Sequence, residues 1–132
     1  MVIIDTSVWV DYLRDVRTPE CEWLDVEMGR QRLGLTDLIL CEVLQGLRLE
    51  RQFASVRDQL LRFEVFSTGG RDLAIQAAQN FRRLRTQGHT ARRTIDCLIA
   101  TFCLVNDYTL LHTDRDYDPF EQSLGLRVLH PA

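Results

Sequence analysis

Short apolar runs bounded by polar clusters alternate along this chain with longer segments whose apolar residues recur every three or four positions. The short runs predict buried strands, and the longer segments predict amphipathic helices. Val2-Ile3-Ile4 is β-branched and closed by Asp5-Thr6-Ser7, so it predicts a fully buried strand. Val8, Trp9, Tyr12 and Leu13 follow at helical spacing over Ser7 to Arg14. Thr18-Pro19-Glu20 offers a cap and a first-turn proline for a second helix, which should reach about Arg30 and bury Trp23, Leu24 and Met28. Leu33-Gly34-Leu35 predicts a strand, with Thr36 or Asp37 capping a helix over Leu38 to Leu47. Another helix is expected from Glu50 to Arg62, with Phe53, Val56, Leu60 and Leu61 inward.

Glu64-Val65-Phe66 predicts a strand ended by Ser67-Thr68-Gly69-Gly70. Arg71 to Thr86 carries Leu73, Ala77, Phe81 and Leu84 at helical intervals and stops at Gly88. A very apolar helix is expected from Ile95 to Val105, capped by Thr94, and a strand from Thr109 to His112. Asp114 to Gln122 predicts an acidic loop and a short helix capped by Asp118, and Arg127 to Leu129 a final short strand. Strands alternating with helices in this way predict one α/β domain over residues 1–132, a sandwich with a short, mostly parallel central sheet.

Composition narrows the function classes. At 45% hydrophobic and 27% charged, the 132 residues have the balance of an ordinary globular protein. The first residues form no basic leader, and no apolar run approaches the roughly 18 residues of a membrane span. A cytoplasmic protein without a membrane partner is expected. Cys21, Cys41, Cys97 and Cys103 lack CxxC spacing and sit among apolar neighbours, so they read as reduced core residues. His89, His112 and His130 form no zinc motif. The net charge of -3 argues against a general nucleic-acid coat protein. All 16 basic residues are arginine, which excludes any mechanism needing a catalytic lysine.

The acidic residues are where the pattern becomes chemical. Asp96 sits at the mouth of the apolar run, where an ionised carboxylate costs several kcal/mol unless it is neutralised. The same anomaly recurs: Asp5 closes the first strand, Glu42 interrupts an apolar helix, and Asp114 and Asp116 follow Thr109-Leu110-Leu111. In open α/β sheets, ligands collect beyond the C-terminal ends of the strands, so these acids should share one sheet edge. Carboxylates converging without a lysine point to a hard divalent cation, Mg²⁺ or Mn²⁺. Asp114-Arg115-Asp116-Tyr117-Asp118 imitates the start of a calcium loop, but Pro119 replaces its turn glycine and Gly125 its bidentate glutamate. Leu73 to Ile95 contains no acid and carries Arg82, Arg83, Arg85, Arg92 and Arg93. A positive surface beside a metal-loaded acidic pocket is the arrangement needed to grip a phosphate backbone during cleavage, so these arginines are expected to give affinity, not chemistry.

Together, Val2-Ile3-Ile4-Asp5-Thr6-Ser7-Val8-Trp9, Glu42 within a helix, Thr94-Ile95-Asp96-Cys97-Leu98-Ile99-Ala100 and Leu111-His112-Thr113-Asp114-Arg115-Asp116-Tyr117 resemble a PIN domain. The chain resembles, in particular, the VapC-type ribonuclease toxins of bacterial toxin–antitoxin pairs. The resemblance implies an acidic site of Asp5, Glu42, Asp96 and Asp114, with Asp116 as a further metal ligand. It implies that Thr6 or Ser7 meets a phosphate or the attacking water. It also implies Mg²⁺-dependent cleavage of transfer or ribosomal RNA, a homodimer, and inhibition by a cognate VapB-type antitoxin. A partner of that kind would use an apolar groove near Val8, Trp9, Tyr12, Leu13, Trp23 and Leu24. Two other classes compete: a PIN-like binding module without cleavage, and a phosphatase with Asp5 as nucleophile. The phosphatase would want an aspartate where Ser7 stands, and a lysine.

Overall fold

The computed structural model describes residues 1–89 and 93–132; Arg92, one of the arginines singled out above, lies outside them. Four strands, β1 (Val2–Ile4), β2 (Leu33–Thr36), β3 (Glu64–Phe66) and β4 (Thr109–Leu111), form a sheet in the order β3-β2-β1-β4. Every pairing between these strands is parallel, with Ile3 opposite Gly34 and Ile4 opposite Leu111. β2 needs its glycine, because a Cβ on Gly34 would lie 2.8 Å from the Glu64 carbonyl oxygen of β3.

The expected last strand is not one. Val128 makes an isolated parallel bridge to Leu110, with the Leu110 amide donating to Arg127 and the Leu129 amide to Leu110. Gly125 turns the chain in at a left-handed φ of 77°, and Pro131, which has no N–H, follows closely, so little chain is left to extend the ladder.

Seven helices among the described residues complete the sandwich: α1 (Thr6–Leu13), α2 (Pro19–Glu27), α3 (Asp37–Gln45), α4 (Glu50–Leu60), α5 (Gly70–Thr86), α6 (Thr94–Asn106) and α7 (Asp118–Leu124). α1 packs on α2 and α3, and α3 on α4, while α5 packs on α6 and α7. Their starts follow local chemistry. Thr18 caps α2 by accepting from the Cys21 amide, ahead of Pro19, and Thr36 caps α3 by accepting from Ile39.

Two expected caps are displaced. Thr94 is the first helical residue of α6, and Arg93 stands at the cap without a capping bond. Asp118 lies inside the first turn of α7, because a 3-10 turn (Arg115–Tyr117) capped by Asp114 runs straight into that helix. The core is Ile3, Ile4, Val8, Leu24, Leu35, Ile39, Ile99, Leu110 and Phe120 with their neighbours. Leu61, expected inward, is exposed because α4 ends one residue before it, and Cys41 is exposed on α3 while the other three cysteines are buried. No helix among the described residues is long and apolar enough to cross a membrane.

The topology fixes where a ligand can gather. From β1 the chain moves to β2 and β3 on one side, then returns to β4 on the other. The C-terminal ends of β1 and β4 therefore flank the point where strand order reverses, the crevice such sheets use for ligands.

Candidate active site

Asp5 leaves β1 and caps α1, and Asp114 leaves β4 and caps the 3-10 turn. Because β1 and β4 are neighbours in register, the two acids come to one edge although more than a hundred residues separate them. Asp96 lies in the first turn of α6, and Glu42 lies within α3. Each of the three aspartates thus sits at a helix or turn start, where the backbone dipole favours an anion.

Asp5 is 4% exposed, and neutral donors satisfy its carboxylate. The Tyr117 hydroxyl donates to Oδ1 at 2.7 Å, while the Ser7 amide and hydroxyl donate to Oδ2 at 3.0 and 2.7 Å. The Ser7 hydroxyl in turn accepts from the Thr113 amide at 3.1 Å, tying α1 to the acidic loop. Thr6 donates to Glu42 Oε1 at 2.7 Å. Both hydroxyls that the resemblance set against a phosphate are therefore engaged in orienting carboxylates.

Asp96 is 3% exposed and is met by a charge. Arg93 forks onto it, with Nε to Oδ2 and Nη2 to Oδ1 both at 3.1 Å. The same guanidinium lies 3.4 Å from Asp114 Oδ2 and 4.0 Å from Glu42 Oε2. Even so, burial pushes the Asp96 carboxyl up to about 6; Arg93 pulls it down, and the fields of Asp5 and Asp114 add to the rise. One arginine does not balance this centre.

Asp96, Asp114 and Asp116 each present a carboxylate oxygen within 4.8 Å of the other two. Such an all-oxygen, under-neutralised set fits a hard divalent ion and suits neither a soft metal nor a redox cofactor. His112 lies behind the loop, its Nδ1 accepting from the Asp114 amide at 3.0 Å. Burial lowers its pKa, which keeps the ring neutral and its proton on Nε2.

The sequence-predicted residues thus fall into three groups. Asp5, Glu42, Asp96, Asp114 and Asp116 come together with Thr6 and Ser7. Arg82 and Arg85 line a shallow basic face on α5 with Gln79, Arg83 and Thr86, apart from the acids. Arg93, grouped with those arginines in the sequence, turns instead into the acidic centre. Its place three residues before Asp96 at a helix start was the available signal, since that spacing puts both side chains on one face. Tyr117 and His112 were missed altogether. A tyrosine three residues past Asp114 reads as ordinary core until the tight turn is seen to fold it back on Asp5.

Comparison with known proteins bears on the family and the fold. The family model described as the PIN domain matches residues 2–121. Ribonuclease VapC11 of Mycobacterium tuberculosis and VapC ribonuclease Mb1587 of Mycobacterium bovis are each 27% identical over 131 residues, covering 97% of both chains. Among solved structures, VapBC2 of Rickettsia felis bound to a promoter DNA fragment superposes with a TM-score of 0.76 at 17% identity, covering 98% of each chain. DNA-bound VapBC of Salmonella typhimurium gives 0.76 at 21% identity, covering 97% of this chain and 96% of that one. At such identities the structural likeness is one of fold, whereas the family match spans nearly the whole sequence. This chain belongs to the PIN domain family.

Proposed function

We propose that this chain is a metal-dependent endoribonuclease and the toxin half of a toxin–antitoxin pair. The observation that carries the reading is the gathering of Asp96, Asp114 and Asp116 within 4.8 Å of one another near the strand-order reversal of a PIN fold, with Glu42 joined to them through Arg93 and Asp5 close enough for its field to act on Asp96. Asp96, Asp114 and Asp116 would hold Mg²⁺, or Mn²⁺ in its place, with Asp5 completing the set. A divalent ion bound there would supply Lewis acidity for the scissile phosphodiester and make its bound water more acidic than bulk water, so that a neighbouring carboxylate could take the proton. Glu42, kept in one orientation by Thr6, would accept the proton of the attacking water. Asp5, clamped by Tyr117 and Ser7, holds its charge where the centre needs it. The arginines of α5, Arg82 and Arg85 among them, offer phosphate contacts to an RNA chain, transfer or ribosomal RNA being the expected class.

The partner reading has its own support. A groove of about 640 Å³ runs between α1, α3 and α4, lined by Val10, Leu13, Val43, Leu47 and Val56, and it includes Glu42. An apolar segment of an antitoxin lying there would end against the acidic centre. Of the residues expected to line such a groove, only Leu13 does: Val8, Trp9 and Leu24 are core, and the half-buried Tyr12 and Trp23 are not in its lining. An arginine carried in by that segment would contend with Arg93 for Asp96, Asp114 and Glu42. Homodimerisation belongs to the same reading.

The test is cleavage of cellular RNA by the purified chain. Cleavage in Mg²⁺ that EDTA abolishes, together with relief of growth arrest by the product of the adjacent small gene, is the expected result. A chain that binds RNA without cutting it under any divalent ion would favour a silent binding module instead.

A further inference from the structure

Tyr117 is fully buried, at 0% exposure, yet its hydroxyl reaches Asp5 Oδ1 at 2.7 Å. Its ring is fixed by tilted contacts to His112 and Phe120, with centroids at 4.8 and 6.4 Å. On the other side of the carboxylate, Ser7 fills Oδ2 with two hydrogen bonds. A carboxylate offers about four lone-pair sites. Among the described residues three are occupied, two on Oδ2 and one on Oδ1, which leaves one site of Oδ1 open. Had both anchors gone to Oδ2, the carboxylate could pivot about that oxygen; with one bond on each end its plane is fixed.

We propose that Tyr117 is a positioning residue that holds Asp5 as a one-oxygen metal ligand and thereby selects a Mg²⁺-sized ion over Ca²⁺. The proposal rests on reading the acidic centre as a metal site. Its chemistry follows from the two ions. Mg²⁺ requires near-ideal octahedral geometry from single oxygens, whereas Ca²⁺ tolerates irregular shells and readily takes both oxygens of one carboxylate. Ser7 closes Oδ2 and leaves Asp5 one oxygen to offer, and Tyr117 fixes the plane in which that oxygen is offered, which meets the first demand and not the second.

The test is the affinity of the full chain for Mg²⁺ and for Ca²⁺ by titration calorimetry, in the wild type and in Tyr117→Phe, which keeps the buried ring. The phenylalanine variant should lose about tenfold in Mg²⁺ affinity, as outer-shell changes do, and less than about threefold in Ca²⁺ affinity. In an Asp5→Asn background the same change should have no further effect on Mg²⁺ binding. Equal losses for the two ions, no loss at all, or an undiminished loss in the Asp5→Asn background would each overturn the proposal. The wild type supplies a check independent of any variant: it must prefer Mg²⁺, and equal binding of both ions overturns the proposal outright. A wild type that binds no divalent ion overturns the metal-site reading as well. A wild type that binds Mg²⁺ and cuts RNA, beside an unaltered phenylalanine variant, removes Tyr117 alone.

Discussion

The two deepest acids of this centre, Asp5 and Asp96, are about equally buried and are held in opposite ways. Asp5 is surrounded by neutral donors from Tyr117 and Ser7, which orient the carboxylate without cancelling its charge. Asp96 is matched by the guanidinium of Arg93, which is half-exposed and also borders Glu42 and Asp114. Neutral bonds within the core are permanent fixtures, since breaking them strands a buried polar group. An arginine reaching in from the surface is replaceable, because water receives it when it leaves. One side of the centre is thus built to stay, and the other is held by a replaceable arginine until a stronger cation arrives.

The sharpest way to break this contrast is to remove the charge that awaits the cation. Asp96→Asn should lower RNA cleavage by more than about 100-fold, beyond what an outer-shell change costs. The metal-free protein should keep its fold and melt no lower than the wild type, because burying the charged form is what raises the Asp96 pKa. Cleavage assays and thermal melting in EDTA check both halves. A smaller effect, of opposite sign, is expected on the arginine. Arg93→Ala should raise Mg²⁺ affinity roughly two- to fivefold, the scale of a half-exposed ion pair. Unchanged or weaker binding would mean that Arg93 does not compete with the ion.

A graded effect, reached without changing any residue, lies in pH. The folded Asp96 pKa of about 6 stands above the ordinary value of 3.8, so the folded chain holds this proton more tightly than the unfolded chain does. Its contribution to metal-free stability therefore grows as pH falls from above 6 toward 3.8, and the cost of the buried charge is complete above 6. Metal must displace the same proton, so Mg²⁺ affinity should fall below pH 6 by up to roughly tenfold per unit. Melting curves in EDTA and calorimetry at matched pH values would show the two trends running in opposite directions.

Which parts of this were legible in the chain has a physical pattern. Asp5, Glu42, Asp96, Asp114 and Asp116 stood out because a carboxylate beside an apolar run is costly, and cost is visible in a linear sequence. The strands β1 to β4 were visible for the same reason, as apolar runs between polar stops. Arg93 misled because a run of arginines reads as one surface, whereas the helix start at Thr94 turns this one inward toward Asp96. Tyr117 gave no signal, since a buried ring has the same pattern whether or not its hydroxyl meets an acid 112 residues away. Arg127 to Leu129 looked like a strand by composition, but the turn at Gly125 and the proline at 131 leave only a bridge.

If these carboxylates form one cation site, Arg93 must withdraw from it when the ion binds. Anomalous diffraction from crystals grown with Mn²⁺ tests it most directly. The predicted result is a manganese peak among Asp96, Asp114 and Asp116, with the Arg93 guanidinium turned away from Asp96 and the Tyr117–Asp5 bond intact. Manganese elsewhere on the surface, or Arg93 still forked onto Asp96 with no ion beside it at saturating Mn²⁺, would contradict it.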